Sequence, residues 1–545
     1  MAPIARSIHL SEQLQRHGVG LLVIIVGVVI RAFYAFYFEP FLHWDEAPQA
    51  LMALKIAQGE MFPWVHFQLP YIGAVEQYGL SLFFLLFNDD IFALNLFYFI
   101  ISSLSLFFAS SFYRSVLSAP WNVIALALFA LTPPLVLLFS LQSYSFGSLV
   151  LFETLILGIL FSQRLAAGGI LKWALIGGVC GIALYNNVLF IWVFLFSLWR
   201  VCTEQKRQLI SIFCFFFIFG YAPMLLFNWH NEFISYQFLV AKFLNVSGAM
   251  VGEHGVVKAV LVGVAEKLSG NGPDSDRIMF YHLPRLLTSP AGHLIATAIF
   301  AGIAVLTSVA FMSLYSRFGM CVGSFGGYSL GHRFAFYTCT ALICLSTVSQ
   351  VRYMAALAPV LPVAVSDGLL IAYAKNKVLG LGSLAFILTF LLSIHVLVFV
   401  DDASFHVDEI GKVYSILESR GLTHGYGSYQ FQSYAAFISK ESIKISPQIG
   451  PLFIDKIPSY SQIVDQEDEV FFIFPAASPY LDKIDAMPVF YKIEKTDAWS
   501  VIWGLSERLY PEDLLTEVDL VKPGGFRRWS YKTNPAVLEV FRGGY

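Results

Sequence analysis

The chain has 545 residues, 57% of them hydrophobic and only 13% charged, with a formal net charge of −3. Its mean hydropathy of +0.68 excludes a soluble globular domain, because one water-exposed core cannot hide apolar segments of this length. No basic block or aromatic-plus-basic stripe is present, so the sequence offers nothing for a nucleic-acid partner. A spanning helix needs roughly 20 apolar residues. The first such run covers 19–38 and follows Arg6 and Arg16. It is too long for a signal h-region and lacks a small-residue cleavage site, so it is read as a helix that stays. Further spans are predicted at 91–111, 121–141, 147–162, 208–227, 291–313, 334–350, 354–373 and 380–400.

The run 171–198 has basic flanks on both sides, Lys172 before it and Arg200, Lys206 and Arg207 after it. One helix would place positive charge on both membrane faces, against the positive-inside rule. Two short helices turning at Tyr185-Asn186-Asn187 keep both flanks cytoplasmic, which predicts about eleven spanning helices with the N-terminus inside. The membrane module is then 1–400, with a first outer loop at 39–90 and a second large outer loop at 228–290. The tail 401–545 has mixed charge, Pro and Gly punctuation, and apolar runs such as Glu469–Phe474 and Val489–Ile493 that read as strands. It predicts a small α/β domain on the outer surface. The six cysteines all lie in or beside apolar segments, so the outer regions are expected to fold without disulfides.

The segment His43-Trp44-Asp45-Glu46-Ala47-Pro48 directly follows the first span. Adjacent carboxylates at a membrane face can serve as a general base with its positioning neighbour. They can equally be solvated acids favoured at the first turn of a helix running from Ala47 to Gln58. Glu76 is isolated among apolar residues before the second span and needs a partner there. With Asp45 it can hold a divalent cation or position substrate, with His43 and His66 as alternative ligands; either histidine also fits as an interfacial ring. Arg352, followed by Tyr353, falls on the outer face against the positive-inside tendency. It fits an anionic ligand such as a lipid phosphate, or snorkelling to head groups. Lys242 and Arg285 are weaker phosphate candidates in the second outer loop. No Walker-type segment suggests an ATP-driven pump.

Taken together these residues resemble the polyprenyl-phosphate-sugar-dependent glycosyltransferases of the GT-C fold, in particular the protein O-mannosyltransferases and the lipid A aminoarabinose transferases. The matching pieces are Arg31, Asp45-Glu46, Gly59, Tyr71, Gly73 and Glu76, then Gly177-Gly178 with Gly181, Gly220-Tyr221-Ala222-Pro223 leading to Asn228, and Arg352-Tyr353 followed by Pro359 and Pro362. The chain departs from the pattern at Ser140–Gly147, which has no acid, and at Asn186-Asn187, where relatives often have Lys. The resemblance implies a GT-C polytopic α-helical membrane enzyme with an extracytoplasmic C-terminal α/β domain, in a bacterial inner membrane with its tail in the periplasm. Asp45 would act as the base in an inverting transfer from a polyprenyl-phosphate sugar to a lipid, glycan or protein hydroxyl. Arg352, and a cation near Glu76, would stabilise the leaving phosphate. The alternatives are a lipid-linked glycan transporter, which the mid-helix Glu153 keeps open, and a non-catalytic glycan-binding relative.

Overall fold

The computed structural model describes residues 2–38, 46–236, 358–448 and 457–514, apart from short internal breaks. The chain divides into two compact units that do not follow chain order: one takes in 1–40, 95–226 and 246–403, the other 41–94, 227–245 and 404–545. The first outer loop therefore shares a unit with the C-terminal segment, whereas the sequence suggests a division near residue 400.

The first unit is helical. Helix α1 (Ala2–Phe33) continues as a wider π-type turn over Tyr34–Phe38. In chain order come α2 (Ala47–Ala57), a hairpin of β1 (Val65–His66) and β2 (Leu69–Gly73), and α3 (Val75–Leu86). These belong to the second unit. The helical series resumes with α4 (Asp90–Val116), α5 (Trp121–Ala130), α6 (Pro134–Leu141), α7 (Phe146–Phe161), α8 (Gly169–Asn186), α9 (Ile191–Thr203) and α10 (Arg207–His230). Among the described residues, four stretches are long and apolar enough to cross a membrane: Gly18–Tyr37, α4, α8 and α10. They carry outward apolar side chains such as Leu22, 59% exposed, and Phe219, 73% exposed, as a lipid-facing surface requires.

Two expected spans look different. The run 121–141 is two helices, because Pro133-Pro134 disfavours helical geometry in the residue before each ring and Pro134 opens a new first turn. The span 354–373 becomes α11 (Leu361–Lys375), with its first residues outside the described ones, and α12 (Lys377–Val400) follows. Asn376 separates them and caps α12, its Oδ1 accepting from the N–H groups of Val378 and Leu379 at 3.0 and 3.2 Å. The run 171–198 does turn at Asn187, whose Oδ1 accepts from Leu189 N–H at 3.0 Å. Helices α8 and α9 then pack on each other, with Cys180 Sγ 3.7 Å from Ser197 Oγ. The spans expected at 291–313 and 334–350 lie outside the described residues.

Glycines let α8 and α10 touch. A Cβ at Gly177 would strike the carbonyl of Phe213, and one at Gly181 would strike that of Phe217 and come within 2.8 Å of the Tyr221 nitrogen. On the facing helix, a Cβ at Gly220 would meet the Gly178 carbonyl and sit 3.0 Å from the Ile182 nitrogen. In lipid, where apolar surface gives no association drive, such backbone contact supplies the dispersion that joins helices. Around it Phe194 stacks on Phe217 at 4.2 Å.

The second unit has an α/β body. After α13 (Phe405–Ser419) come β3 (His424–Tyr426), α14 (Tyr429–Ile438), β4 (Lys444–Ser446) and α15 (Pro458–Val464). Then follow β5 (Phe471–Pro475), α16 (Pro479–Asp485), β6 (Lys492–Lys495), β7 (Trp499–Trp503) and α17 (Pro511–Leu514). The sheet order is β4-β3-β5-β7-β6, with β3 parallel to β4 and β5, and β7 antiparallel to β5 and β6. Central β5 reads Phe-Phe-Ile-Phe-Pro with its first four residues buried, as a strand covered on both faces should. Its Phe472 and Phe474 pack with Tyr426, Val464, Ile484 and Ile502. The strand expected at 489–493 is displaced to β6, registered Ile493 opposite Ile502.

Candidate active site

Helix α2 starts where the first-loop acids end. Pro48 lies in its first turn, and the Glu46 carbonyl accepts from the N–H groups of Gln49 and Ala50, each at 2.9 Å. An acid beside this helix start faces unsatisfied N–H groups and the positive end of the dipole. Almost all of α2 is buried: Ala47 to Leu54 and Ile56 are covered. It packs on α3 along one side and on α14 along another, and Met52 and Ile56 join Met61, Phe67 and Ala74 in a small core. The β1–β2 hairpin pairs Val65 with Gly73 and so returns the chain to the start of α3.

That return brings two helix starts together. Gln77, in the first turn of α3, donates from Nε2 to Oε1 of Gln49, in the first turn of α2, at 2.5 Å. Glu76 beside Gln77 is 2% exposed, and Glu46 just ahead of α2 is 5% exposed. Two buried carboxylic side chains therefore stand at helix N-terminal turns joined by a carboxamide bridge. Burial penalises a carboxylate, and two helix N-termini supply positive potential against that penalty.

Of the residues expected to form the site, Glu46 and Glu76 are among those brought to these turns. His66 is buried, its Nδ1 3.0 Å from its neighbour's carbonyl at Phe67, in strand β1. His43, Asp45, Lys242, Arg285, Arg352 and Tyr353 lie outside the described residues. Among the described residues no three His, Cys, Asp or Glu side chains gather to hold a metal ion. Asn228, a residue of the resemblance, is fully buried and closes the turn after α10, its Oδ1 accepting from Ser235 N–H at 3.1 Å. Ser235 Oγ in turn donates to the Pro70 carbonyl at 2.5 Å, which ties this turn to strand β2. Gln49 and Gln77 were not singled out from the sequence. The available signal was their spacing, one three residues after Glu46 and the other next to Glu76.

Buried polar groups also stand inside the helical unit. Arg31 is 2% exposed and is held by neutral acceptors: Ser102 Oγ at 3.0 Å, the Gly27 carbonyl at 3.1 Å and the Ala130 carbonyl at 3.4 Å, with the Phe129 ring 5.7 Å away. Tyr34 hydrogen-bonds His395 at 3.0 Å. Glu153, the residue that favours a transporter, accepts the indole N–H of Trp192 at 2.9 Å, an arrangement that packs α7 against α9.

No family model matches the chain, and no characterised protein matches it by sequence. Solved structures do match in shape. The archaeal oligosaccharyltransferase AglB from Archaeoglobus fulgidus, in complex with an inhibitory peptide and a dolichol-phosphate, superposes with a TM-score of 0.52 at 12% identity, covering 85% of this chain and 69% of that one. The same organism's oligosaccharyltransferase in complex with Zn and sulfate gives 0.50 at 12% identity, over 83% of this chain and 67% of that one. ArnT from Cupriavidus metallidurans, bound to undecaprenyl phosphate, gives 0.51 at 11% identity and covers 91% of this chain and 98% of that one. The chain is an integral membrane protein that shares the fold of these enzymes, that of the GT-C glycosyltransferases.

Proposed function

We propose that this protein is an inverting glycosyltransferase that moves a sugar from a polyprenyl-phosphate donor to an acceptor hydroxyl at the outer face of a bacterial inner membrane. In this reading Asp45 takes the proton from the acceptor hydroxyl as its oxygen attacks the anomeric carbon. The bond from that carbon to the phosphate oxygen breaks, and polyprenyl phosphate leaves. Glu46 positions Asp45, and Glu76 orients substrate from the neighbouring helix start. Arg352 and Tyr353, with Lys242 and Arg285, receive the phosphate charge as it develops. A divalent cation held by Asp45 with Glu76 would stabilise the same charge, and one matching fold was solved in complex with Zn.

The observation that carries the reading is the pair of buried acids at the joined first turns of α2 and α3, in the loop that opens with Asp45. Two matching folds were solved with lipid phosphates, dolichol-phosphate in one and undecaprenyl phosphate in the other, which supports a donor of that class. The acceptor is a lipid, a glycan or a protein side chain, and the C-terminal α/β body is the place for its selection. Glycan and glycolipid mass profiling of cells carrying wild type, a deletion, or Asp45→Asn at equal expression tests this. The same sugar increment should vanish in the deletion and in Asp45→Asn. A profile changed by the deletion alone would move transport or scaffolding ahead.

A further inference from the structure

The carboxamide bridge between α2 and α3 leaves one atom unused. Gln77 is 1% exposed, and its Nε2 is spent on Gln49, but among the described residues its Oε1 has no hydrogen-bond partner. Buried carbonyl oxygens are nearly always partnered, and one left without a donor has lost its water for nothing in return. Ser81, one helical turn on, gives its hydroxyl proton to the Tyr78 carbonyl. The side chains that flank the bridge, Glu46 and Glu76, are acceptors when ionised. What the Gln77 oxygen calls for is a donor, and an O–H group can be one.

We propose that Gln77 Oε1 accepts a hydroxyl of the sugar carried by the lipid-phosphate donor, and so lets the site distinguish a glycosylated lipid from the bare lipid phosphate. This rests on the glycosyltransferase reading above. A sugar ring offers several O–H donors, whereas an ionised phosphate head offers only acceptors, so this oxygen favours the first and gives nothing to the second. Gln49 acts through Gln77 as a positioning residue by holding its amide in place.

The test is binding of bare undecaprenyl phosphate and of hexosyl- and pentosyl-phospho-undecaprenols to the purified full chain, without acceptor, alongside thermal unfolding. The variants are Gln49→Leu/Gln77→Leu, which replaces both partners of the bridge by apolar side chains and so should hardly change stability, and Gln49→Leu alone. The double variant should lose about tenfold in affinity for the glycosylated lipid that binds wild type best, and keep its affinity for bare lipid phosphate, at an unchanged melting temperature. Gln49→Leu, which keeps the carbonyl but releases the amide that Gln49 holds, should lose part of that preference, less than the double variant does. Equal losses for bare and glycosylated lipid, a fall in melting temperature without a selective loss, or no loss would each overturn the role of Gln77, leaving the bridge as a clamp. Wild type that binds none of these lipids would instead remove the donor reading itself.

Discussion

At the scale of single residues, the chain spends its few charges at helix ends and in buried partnerships. Glu409 on α13 is the clearest case outside the membrane helices. Burial pushes its carboxyl up, but hydrogen bonds from Thr496, Lys412 and the Ala498 N–H outweigh that and hold it below the usual carboxylate value. Lys412 Nζ and the Ala498 nitrogen each lie 2.9 Å from its oxygens. A depressed folded-state value means that this group adds stability above the ordinary carboxylate range and loses it as pH falls through the folded value. Glu409→Gln should therefore lower the melting temperature at neutral pH and flatten its decline on the acid side; an unchanged acid slope would contradict the assignment. Legibility at this scale was uneven. Asp45, Glu46 and Glu76 stood out because acids are costly in an apolar chain, and that cost is visible in composition. Gln49 and Gln77 did not, because neutral amides carry no such signal and their meeting depends on how the β1–β2 hairpin folds back.

At the scale of elements, α2 is the piece through which the site is held. Lys55 near its end bridges to Glu441, just after α14, at 2.8 Å, and Glu441 also accepts the Tyr460 hydroxyl. Both ionic groups are partly exposed, so the pair is worth no more than about 1 kcal/mol, and the buried hydroxyl left behind raises the cost of Glu441→Ala to about 1–2 kcal/mol. The charge swap Lys55→Glu/Glu441→Lys should recover part of what either single reversal loses, read by thermal unfolding and by transfer activity in parallel; no recovery would show that the bridge does not couple. In the helical unit, Gly181→Val would push a branched side chain into the backbone of α10. The expected cost is about 1–3 kcal/mol, seen as lower yield of folded protein and a lower melting temperature, and unchanged stability would mean that α8 and α10 do not meet at glycine. Helix breaks were legible where a local residue dictates them: Asn187 and Asn376 cap new helices, and the turn at 185–187 followed from charge on both flanks. The split of 121–141 was present in Pro133-Pro134 but was masked by unbroken hydropathy.

For the whole molecule, hydropathy identified a polytopic membrane protein and strand-like alternation identified the α/β body, since both are read over windows of neighbouring residues. The grouping of the first loop with the C-terminal segment was not legible, because it comes from contacts between positions hundreds of residues apart. Glu46 and Glu76, with Gln49 and Gln77, lie in the unit that holds the loop after the first span. The most direct test of this account is donor turnover by purified full-length protein in lipid vesicles. Wild type and Asp45→Asn would each be supplied with a radiolabelled sugar on undecaprenyl phosphate and an extract of cell-envelope acceptors. The account predicts transfer of label with release of undecaprenyl phosphate by wild type, and a loss of about 10²- to 10⁴-fold in Asp45→Asn with donor binding retained. Equal transfer by the two proteins would contradict it.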